Sequence, residues 1–273
     1  MFRDRGVEIK SPAQIDVMRA AGLVVGETLD LLRRSLRPGM TTLELDRIAE
    51  DHIRSSGATP SFLGYGHPPF PASICVSVND EVVHGVPGDR VVAEGDIVSI
   101  DCGAIVDGWH GDAALTVAVG EVPPEAAELM RVTEESMWRG FAAARLGGHV
   151  GDISAGVEQH VRQVSSFDIV PDYTGHGIGS AMHQPPTVPN LGRAGRGTRL
   201  VEGLALAVEP MVVVGEPWTH TAKDQWTVRT DDGSLAAHFE HTFTLTRRGT
   251  WVLTALDGGE AKLAELGVPF GGH

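Results

Sequence analysis

The 273-residue chain contains two pairs of segments that match one another at a constant offset of 108 positions. "RPGMTTLELDRIAEDHIR" at 37–54 aligns without gaps with "RLGGHVGDISAGVEQHVR" at 145–162, and "EGDIVSID" at 94–101 aligns with "EGLALAVE" at 202–209. The second match places Asp101 over Glu209. Two matches at one offset favour an internal duplication over chance similarity between helices. The chain is therefore expected to fold as two equivalent halves.

Helical and strand-like segments occur in the same order in both halves. "SPAQ" at 11–14 and "TTLE" at 41–44 have the form of capping boxes, which satisfy free backbone amides at the start of a helix, and apolar residues at helical spacing follow each. Strand-like runs with period-two alternation extend from about 73 to 120. Helical segments near 123–145 and 152–165 then precede the strand-like runs "LALAVEPMVVV" and "AHFEHTFTLT".

This order predicts an α+β fold in which two αβ halves are related by a pseudo-twofold axis. The halves are expected at about 11–120 and 123–250 within one domain of residues 11–255, with helices packed on a curved antiparallel sheet. Residues 1–10 and 256–273 are expected to be terminal tails.

The composition argues against a nucleic-acid-binding protein. The net charge is −14 and the pI is near 5.2, whereas binding to phosphates needs a dense basic surface. The short basic clusters at Arg33-Arg34 and at Arg193 to Arg199 are interpreted as solvated surface charge, with contact to the ribosome or RNA as the alternative.

The sequence also lacks the signs of a membrane or secreted protein. The start "MFRDRGVEIK" has no apolar core of a signal peptide, and no stretch approaches the ~18 apolar residues of a membrane span. Cys75 and Cys102 each lie among alternating apolar residues, as buried thiols in a reducing compartment do. We therefore expect a cytoplasmic protein that does not act at a membrane.

The stretch "IDCGAIVDGWHGD" at 100–112 holds two acids, Asp101 and Asp112, on either side of an Asp107-Gly108 pair. Asp-Gly predicts a two-residue type I′ turn, because both residues tolerate positive φ. That turn would pair Asp101 with Ala114 and place both acids on one face of the sheet, with Cα atoms ~7–8 Å apart. A one-residue bulge would reverse this conclusion. From the hairpin alone, ordinary solvated acids are the favoured interpretation.

Three further residues favour a metal site. Glu209 ends the nearly all-apolar "LALAVEP", where an unpaired buried carboxylate would be costly; Glu240 lies in "AHFEHTF", and His176 lies in the glycine-flanked "TGHGIG". Together these residues supply four carboxylates and one imidazole, and the repeat relates Asp101 to Glu209. This set predicts a shared site for two divalent ions. Oxygen ligands with a single histidine favour Mn, Fe or Co, and Zn is not excluded. Such a pair would activate a bridging water for attack on a carbonyl.

Five motifs resemble those of the bacterial type I methionine aminopeptidases, which have the pita-bread fold. They are "NDEVVHGVP" (79–87), "IDCGAIVDGWHGD" (100–112), "GHGIGSAMHQPP" (175–186), "VEPM" (208–211) and "FEHT" (239–242). One such motif recurs by chance, but five in the right order and spacing are a specific signal. The resemblance implies a dimetal enzyme that removes the initiator methionine from nascent polypeptides whose second residue is small.

The resemblance also implies how the metals are held. Asp101 would bind the second metal ion, His176 and Glu209 the first, and Asp112 and Glu240 would bridge both. Glu240 would in addition act as the general base, taking a proton from the bridging water and passing it to the leaving amine.

The same resemblance implies residues that contact the substrate. His84 would hydrogen-bond the substrate amide and assist proton transfer, and His183 would contact the scissile carbonyl. Cys75 and Trp226 match positions around the methionine pocket, and both also fit simple core residues. The chain departs from the family pattern in "GYGHPPFPASIC" (64–75) and before His183, so no role follows for Tyr65, His67, Phe70 and Met182.

Two alternatives stay open. Prolidase, aminopeptidase P and creatinase-like proteins share the fold but usually carry an additional N-terminal domain, for which a chain starting at "IKSPAQIDVM" is expected to leave no room. The type II enzymes carry an insertion, yet only 25 residues separate His183 from Glu209 and 30 separate Glu209 from Glu240. A metal-free pita-bread protein that serves as a binding module is disfavoured by the presence of all five ligands.

The expected partners are nascent N termini and, transiently, the ribosome, but no specific nucleic acid, and the chain is expected to be a monomer.

Overall fold

Both predicted capping boxes are present at the starts of the first two helices. The computed structural model describes residues 6–273. The Ser11 side chain accepts a hydrogen bond from the Gln14 amide while the Gln14 side chain accepts one from the Ser11 amide, and Thr41 and Glu44 make the same exchange. Within the described residues the helices are α1 (Pro12–Ser35), α2 (Thr42–Ser55), α3 (Pro124–Ala143), α4 (Val150–Val164) and α5 (Glu260–Glu265).

The strands of residues 6–273 form one large sheet and two small ones. In chain order they are β1 (Thr59–Pro60), β2 (Ile74–Val78), β3 (Glu81–Val83), β4 (Ile97–Val106), β5 (Trp109–Ala118), β6 (Asp168–Ile169), β7 (Gly175–Gly177), β8 (Gln184–Val188), β9 (Ala205–Val208), β10 (Met211–Val213), β11 (Thr219–Thr221), β12 (Val228–Thr230), β13 (Ala236–His238), β14 (Glu240–Leu245) and β15 (Thr250–Val252). The large sheet is antiparallel in the order β1-β4-β5-β14-β9-β7-β8, with β2 beside β4 and β15 beside β14. The small sheets are β13-β10-β6 and β11-β12-β3.

Helices pack closely against the central strands. Helix α1 lies against β4 and β5, and α3 lies against α4, β5 and β13. The approach of α1 to β5 requires glycine, because a Cβ on Gly111 would lie 2.8 Å from the backbone nitrogen of Gly22. One apolar core lies under each half, around Leu29 and Ile100 in the first and around Phe141 and Phe243 in the second.

The two halves are related at the offset read from the sequence. Helices α2 and α4 begin 108 positions apart, and so do β4 and β9. An isolated bridge joins Thr41 to Val91, and a counterpart at the same offset joins His149 to Arg199. The predicted α+β class, with helices on an antiparallel sheet and duplicated halves, is confirmed.

Two runs that resemble single strands in the sequence are divided between sheets. "LALAVEPMVVV" contains β9 and β10, which separate at Glu209-Pro210, and "AHFEHTFTLT" contains β13 and β14, which separate at Phe239. Proline has no amide with which to continue a ladder. The Phe239 amide donates to the Pro210 carbonyl oxygen at 3.4 Å, so the two breaks lie side by side.

Residues on both sides of the predicted 11–255 domain contact it. Lys10 is buried, and its backbone amide donates to the carbonyl oxygen of Gly203. In the predicted C-terminal tail, α5 buries Leu263 in the core, and Phe270 forms a bridge with Thr250. Residues 1–5 of the predicted N-terminal tail lie outside the described residues. Between residues 6 and 273, no helix has both the length and the apolar character needed to cross a membrane.

Candidate metal centre and active site

The β4–β5 hairpin has the two-residue turn that the sequence predicts. Asp107 and Gly108 adopt φ angles of 48° and 81°, and Asp101 is paired with Ala114 in an unbroken register. Asp112 lies two residues before Ala114. Because side chains alternate across a strand, the carboxylates of Asp101 and Asp112 are on the same face, as the two-residue turn predicts.

Neighbouring strands bring the other predicted ligands to this face. Ala114 is opposite Glu240 on β14, and the register of β14 with β9, extended by one position, brings Glu209 beside Glu240. On β7, His176 is opposite Ala207, two residues before Glu209. The five predicted metal ligands thus lie on one face of adjacent strands.

These side chains line a cavity of about 180 Å³. Every predicted site residue lies in its wall: Cys75, His84, Asp101, Asp112, His176, His183, Glu209, Trp226 and Glu240. Phe62, Tyr65, Phe70 and Met182 complete the lining, whereas His67 is exposed and lies outside it.

Of the four carboxylate residues, Asp112 and Glu240 are buried and Asp101 and Glu209 are half-buried, and no lysine or arginine of residues 6–273 lines the cavity. Burial raises the pKa of Asp101 to about 7, and burial with repulsion from neighbouring carboxylates raises the pKa values of Asp112, Glu209 and Glu240 well above their usual range. Asp101 Oδ1, Asp112 Oδ1 and Glu240 Oε1 have no hydrogen-bond partner among the described residues. Buried acids of this kind are normally paired or bind metal, so the residues present fit divalent cations.

His176 has the tautomer that a metal ligand requires. Its Nδ1 lies 2.9 Å from the Gly177 carbonyl oxygen, which can only accept, so Nδ1 carries the proton and Nε2 presents a lone pair to the carboxylates. Burial lowers the pKa of His176 to about 3. The ring is therefore neutral at neutral pH, and its 3.5 Å approach to Glu209 is not an ion pair. Donor atoms of Asp112, His176 and Glu240 lie within 4.8 Å of one another.

His238 is a sixth donor, which the motifs do not indicate. Its Nε2 lies 3.9 Å from Glu209 Oε2 and 4.0 Å from Glu240 Oε2. The atom is buried without a hydrogen-bond partner in residues 6–273, and the three residues form a second group of converging donors. The available signal was its position two residues before Glu240 in a strand-like run, where strand alternation predicts the same face for both side chains; the structure divides this run at Phe239 but keeps the two side chains together.

The two predicted catalytic histidines approach the cavity from different elements. His84 follows β3 with a φ of 59°, which is uncommon outside glycine, and it packs edge-on against Trp226 and Tyr173. His183 directly precedes β8, with its ring centre 4.3 Å from that of His176. The Tyr65 hydroxyl lies 2.7 Å from His183 Nδ1.

The segment that carries His183 is held by the N-terminal residues. The Glu8 carboxylate accepts hydrogen bonds from the Ser180 amide at 3.0 Å, the Ser180 hydroxyl at 2.7 Å and the Gln184 side-chain amide at 3.0 Å. Lys10 Nζ lies 3.5 Å from Glu8 and 3.4 Å from Gln184 Oε1. The position of His183 therefore depends on residues that the sequence assigns to a tail.

The remaining wall of the cavity is apolar. Phe62, Phe70, Cys75 and Met182 form a buried cluster against which Trp226 packs. Trp226 meets Phe70 edge-on, with ring centres 5.2 Å apart. A single apolar side chain can therefore lie beside the carboxylates without leaving the cavity.

The chain matches the model of metallopeptidase family M24 over residues 16–247. A methionine aminopeptidase of Clostridium acetobutylicum is 51% identical over 247 residues, with 90% of this chain and 98% of the relative covered. Methionine aminopeptidase 1 of Mycobacterium tuberculosis is 48% identical over 256 residues, with 92% and 96% covered. The crystal structure of methionine aminopeptidase from Rickettsia prowazekii is similar with a TM-score of 0.88 at 40% identity, covering 91% of this chain and 99% of that one. Prolidase from Pyrococcus furiosus shares only the fold, at 20% identity and a TM-score of 0.72, and 65% of its chain is covered.

The chain belongs to metallopeptidase family M24. The predicted resemblance to the bacterial type I methionine aminopeptidases is confirmed, and with it the pita-bread fold. The expectation of a metal-dependent hydrolase that acts as an exopeptidase is confirmed by the same relatives.

Proposed function

We propose that this protein removes the initiator methionine from nascent polypeptides whose second residue is small. The observation that carries the proposal is a cavity in which four neighbouring carboxylates meet an apolar wall. The identity of 51% to a methionine aminopeptidase supports it. The cavity volume of about 180 Å³ is small beside the roughly 300–1,000 Å³ of most ligand pockets, which suits a single side chain, that of the first residue.

We propose two divalent ions as cofactors, with Mn, Fe, Co and Zn as the candidates. Asp101 would hold one ion, His176 and Glu209 the other, and Asp112 and Glu240 both. When bound, such ions polarise a carbonyl and make water a better nucleophile. The unpartnered carboxylate oxygens and the free Nε2 of His176 support this assignment.

The chain's own side chains handle the protons. Glu240 Oε1, buried and unpartnered within the described residues, accepts a proton from the attacking water and later delivers it to the leaving amine. His183 donates from Nε2 to the scissile carbonyl oxygen as negative charge develops there. His84 is neutral at neutral pH because burial lowers its pKa to about 4, and it hydrogen-bonds the substrate amide. Cys75 and Trp226 contact the methionine side chain.

A panel of peptides tests the activity. Met-Ala, Met-Gly, Met-Lys and Xaa-Pro peptides are incubated with the Mn-loaded enzyme, and release of the first residue is followed by chromatography. Rapid cleavage after methionine before alanine or glycine, and slow cleavage before lysine, is expected. A preference for Xaa-Pro would place the chain with aminopeptidase P instead. A protein that binds no Mn, Fe, Co or Zn in this cleft would be a metal-free binding module.

The substrate also suggests where the protein works. We propose that it acts in the cytoplasm as a monomer and meets the ribosome transiently, because nascent N termini emerge there. Co-sedimentation with translating ribosomes tests the ribosome contact, and light scattering of the free protein tests the monomeric state.

A further inference from the structure

An open groove of about 790 Å³ adjoins the active-site cavity. Its walls come from β8, the segment 189–198, and the first turns of α4. His176 and His183 are the two residues that line both the groove and the cavity, while the apolar cluster around Cys75 lies outside the groove. In the proposed function His183 faces the scissile carbonyl, so the groove begins where the polypeptide beyond that bond leaves the cavity.

Two arginines in the groove have no acidic partner. Arg193 and Arg196 line it and are exposed. Neither guanidinium forms an ion pair within residues 6–273, because no carboxylate oxygen of these residues lies within 4.0 Å of its nitrogens. In a chain of net charge −14, this is a local positive surface beside the active site.

The backbone of the segment that carries these arginines is fixed. The Gly192 amide donates to the Glu158 carboxylate at 2.9 Å, and the Gly195 amide donates to the Asp152 carboxylate at 2.7 Å. The two acids of α4 that lie nearby therefore hold backbone amides, and they leave the guanidinium groups of Arg193 and Arg196 free.

The start of α4 offers no second anion site in the groove. The Val150 and Gly151 amides donate to the carbonyl oxygens of Thr198 and Arg196, at 2.9 and 2.8 Å. These bonds satisfy amides that otherwise attract anions at a helix start. The guanidinium groups remain as the cationic recognition elements.

Strand β8 lies at the edge of the large sheet. Pro185 and Pro186 lie within it, and Pro189 follows. Prolines lack the amide donors that a further strand would need. A chain in this groove is therefore held by apolar contact with the prolines and by charge, not by extension of the sheet.

We infer that this groove binds the polypeptide substrate beyond its second residue and favours acidic side chains there. The inference rests on the proposed function, which sets the direction of the bound chain. Two exposed ion pairs give about a threefold to tenfold preference. The preference weakens as salt rises, because exposed charges are screened.

The experiment compares Met-Ala-Ser-Asp-Asp-Gly with Met-Ala-Ser-Lys-Lys-Gly, by kcat/KM at low and high salt. The unmodified enzyme is expected to prefer the acidic peptide, mainly through KM, and the double variant Arg193→Glu/Arg196→Glu is expected to reverse that preference. Arg37→Glu/Arg47→Glu is the control with the same charge change, since both arginines are exposed and lie outside the groove and the cavity. The control is expected to keep the acidic preference. Arg193→Gln/Arg196→Gln should abolish the preference without reversing it, and melting curves confirm that each variant is folded.

Equal cleavage of both peptides by the unmodified enzyme would overturn the inference and leave the proposed function standing. Failure to cleave either peptide would overturn the proposed function and this inference with it. Loss of ribosome binding in the arginine variant, with the peptide preference retained, would assign the arginines to RNA and also overturn the inference.

Discussion

The hydroxyl of Tyr65 lies 2.7 Å from Nδ1 of His183. A phenol is a stronger hydrogen-bond donor than a neutral imidazole, so the hydroxyl donates and the second nitrogen, Nε2, keeps its proton. That proton is the one that His183 would offer to the scissile carbonyl oxygen in the proposed function. Tyr65, to which the motifs assign no role, therefore fixes the tautomer and orientation of the histidine that is proposed to contact the scissile carbonyl.

Tyr65→Phe removes this hydrogen bond and keeps the ring. We expect kcat on Met-Ala-Ser to fall about twofold to tenfold, the range of a single neutral hydrogen bond, with little change in KM. In a His183→Ala background the same substitution should have no further effect. Tyr173→Phe is the control, because that ring packs on His84 and not on His183. Equal losses in both backgrounds would show that Tyr65 acts independently of His183.

Glu8→Gln weakens the contact that holds residues 179–184. Burial raises the pKa of Glu8, but hydrogen bonds from Ser180 and Gln184 and the charge of Lys10 outweigh it, so the pKa lies below the usual 4.5. A lowered carboxyl pKa contributes stability above the unfolded-state pKa, and this contribution is lost as pH falls through the folded-state value. The variant should melt below the unmodified protein at pH 7, and the difference should close at pH below about 4. Glu27→Gln, on the exposed side of α1, should show no such trend.

Two glycines of the β4–β5 hairpin distinguish backbone strain from packing. Gly108 has a φ of 81° and open space where a side chain would project, whereas a Cβ at Gly111 would meet α1 at 2.8 Å. Gly108→Ala should therefore cost about 1 kcal/mol of unfolding free energy. Gly111→Ala should cost several times more and lower activity, because Asp112 is adjacent. Similar values from urea unfolding of both variants would contradict this assignment.

His238→Ala tests the donor that the motifs do not indicate. Whether Nε2 binds an ion directly or orients Glu209 and Glu240, its loss should weaken Mn²⁺ binding by about tenfold or more, as measured by calorimetry. His160→Ala changes a histidine outside the cavity and should leave the affinity unchanged. An unaltered Mn²⁺ affinity in the His238 variant would show that this ring only fills space.

Asp112→Asn separates catalysis from stability. It removes one of four neighbouring acids for which residues 6–273 supply no lysine or arginine in the cavity wall, so in metal-free buffer the melting temperature should equal or exceed that of the unmodified protein. Activity should be lost, and the rise in melting temperature on adding Mn²⁺ should shrink because the ion is bound less tightly. Full activity in this variant would refute the two-metal scheme.

The parts of the site that follow from local rules could be predicted. A two-residue turn fixes the register of β4 and β5, so the shared face of Asp101 and Asp112 follows from the sequence alone, and the repeat adds Glu209. Contacts between distant segments could not be predicted in this way. Glu8 and Ser180 are 172 positions apart, and no periodicity records their hydrogen bonds. Likewise nothing local marks Phe239 as the end of a strand, whereas Pro210 marks the neighbouring break.

Those two breaks also place two of the proposed metal ligands. Glu209 and Glu240 stand where paired strands pass from the large sheet to the small β13-β10-β6 sheet. Because the register of β14 with β9 brings Glu209 beside Glu240, the separation of their carboxylates is set by the pairing of these two strands as well as by side-chain rotamers. A substitution that disturbs this strand pairing is expected to change the spacing of the two carboxylates even where it touches neither of them.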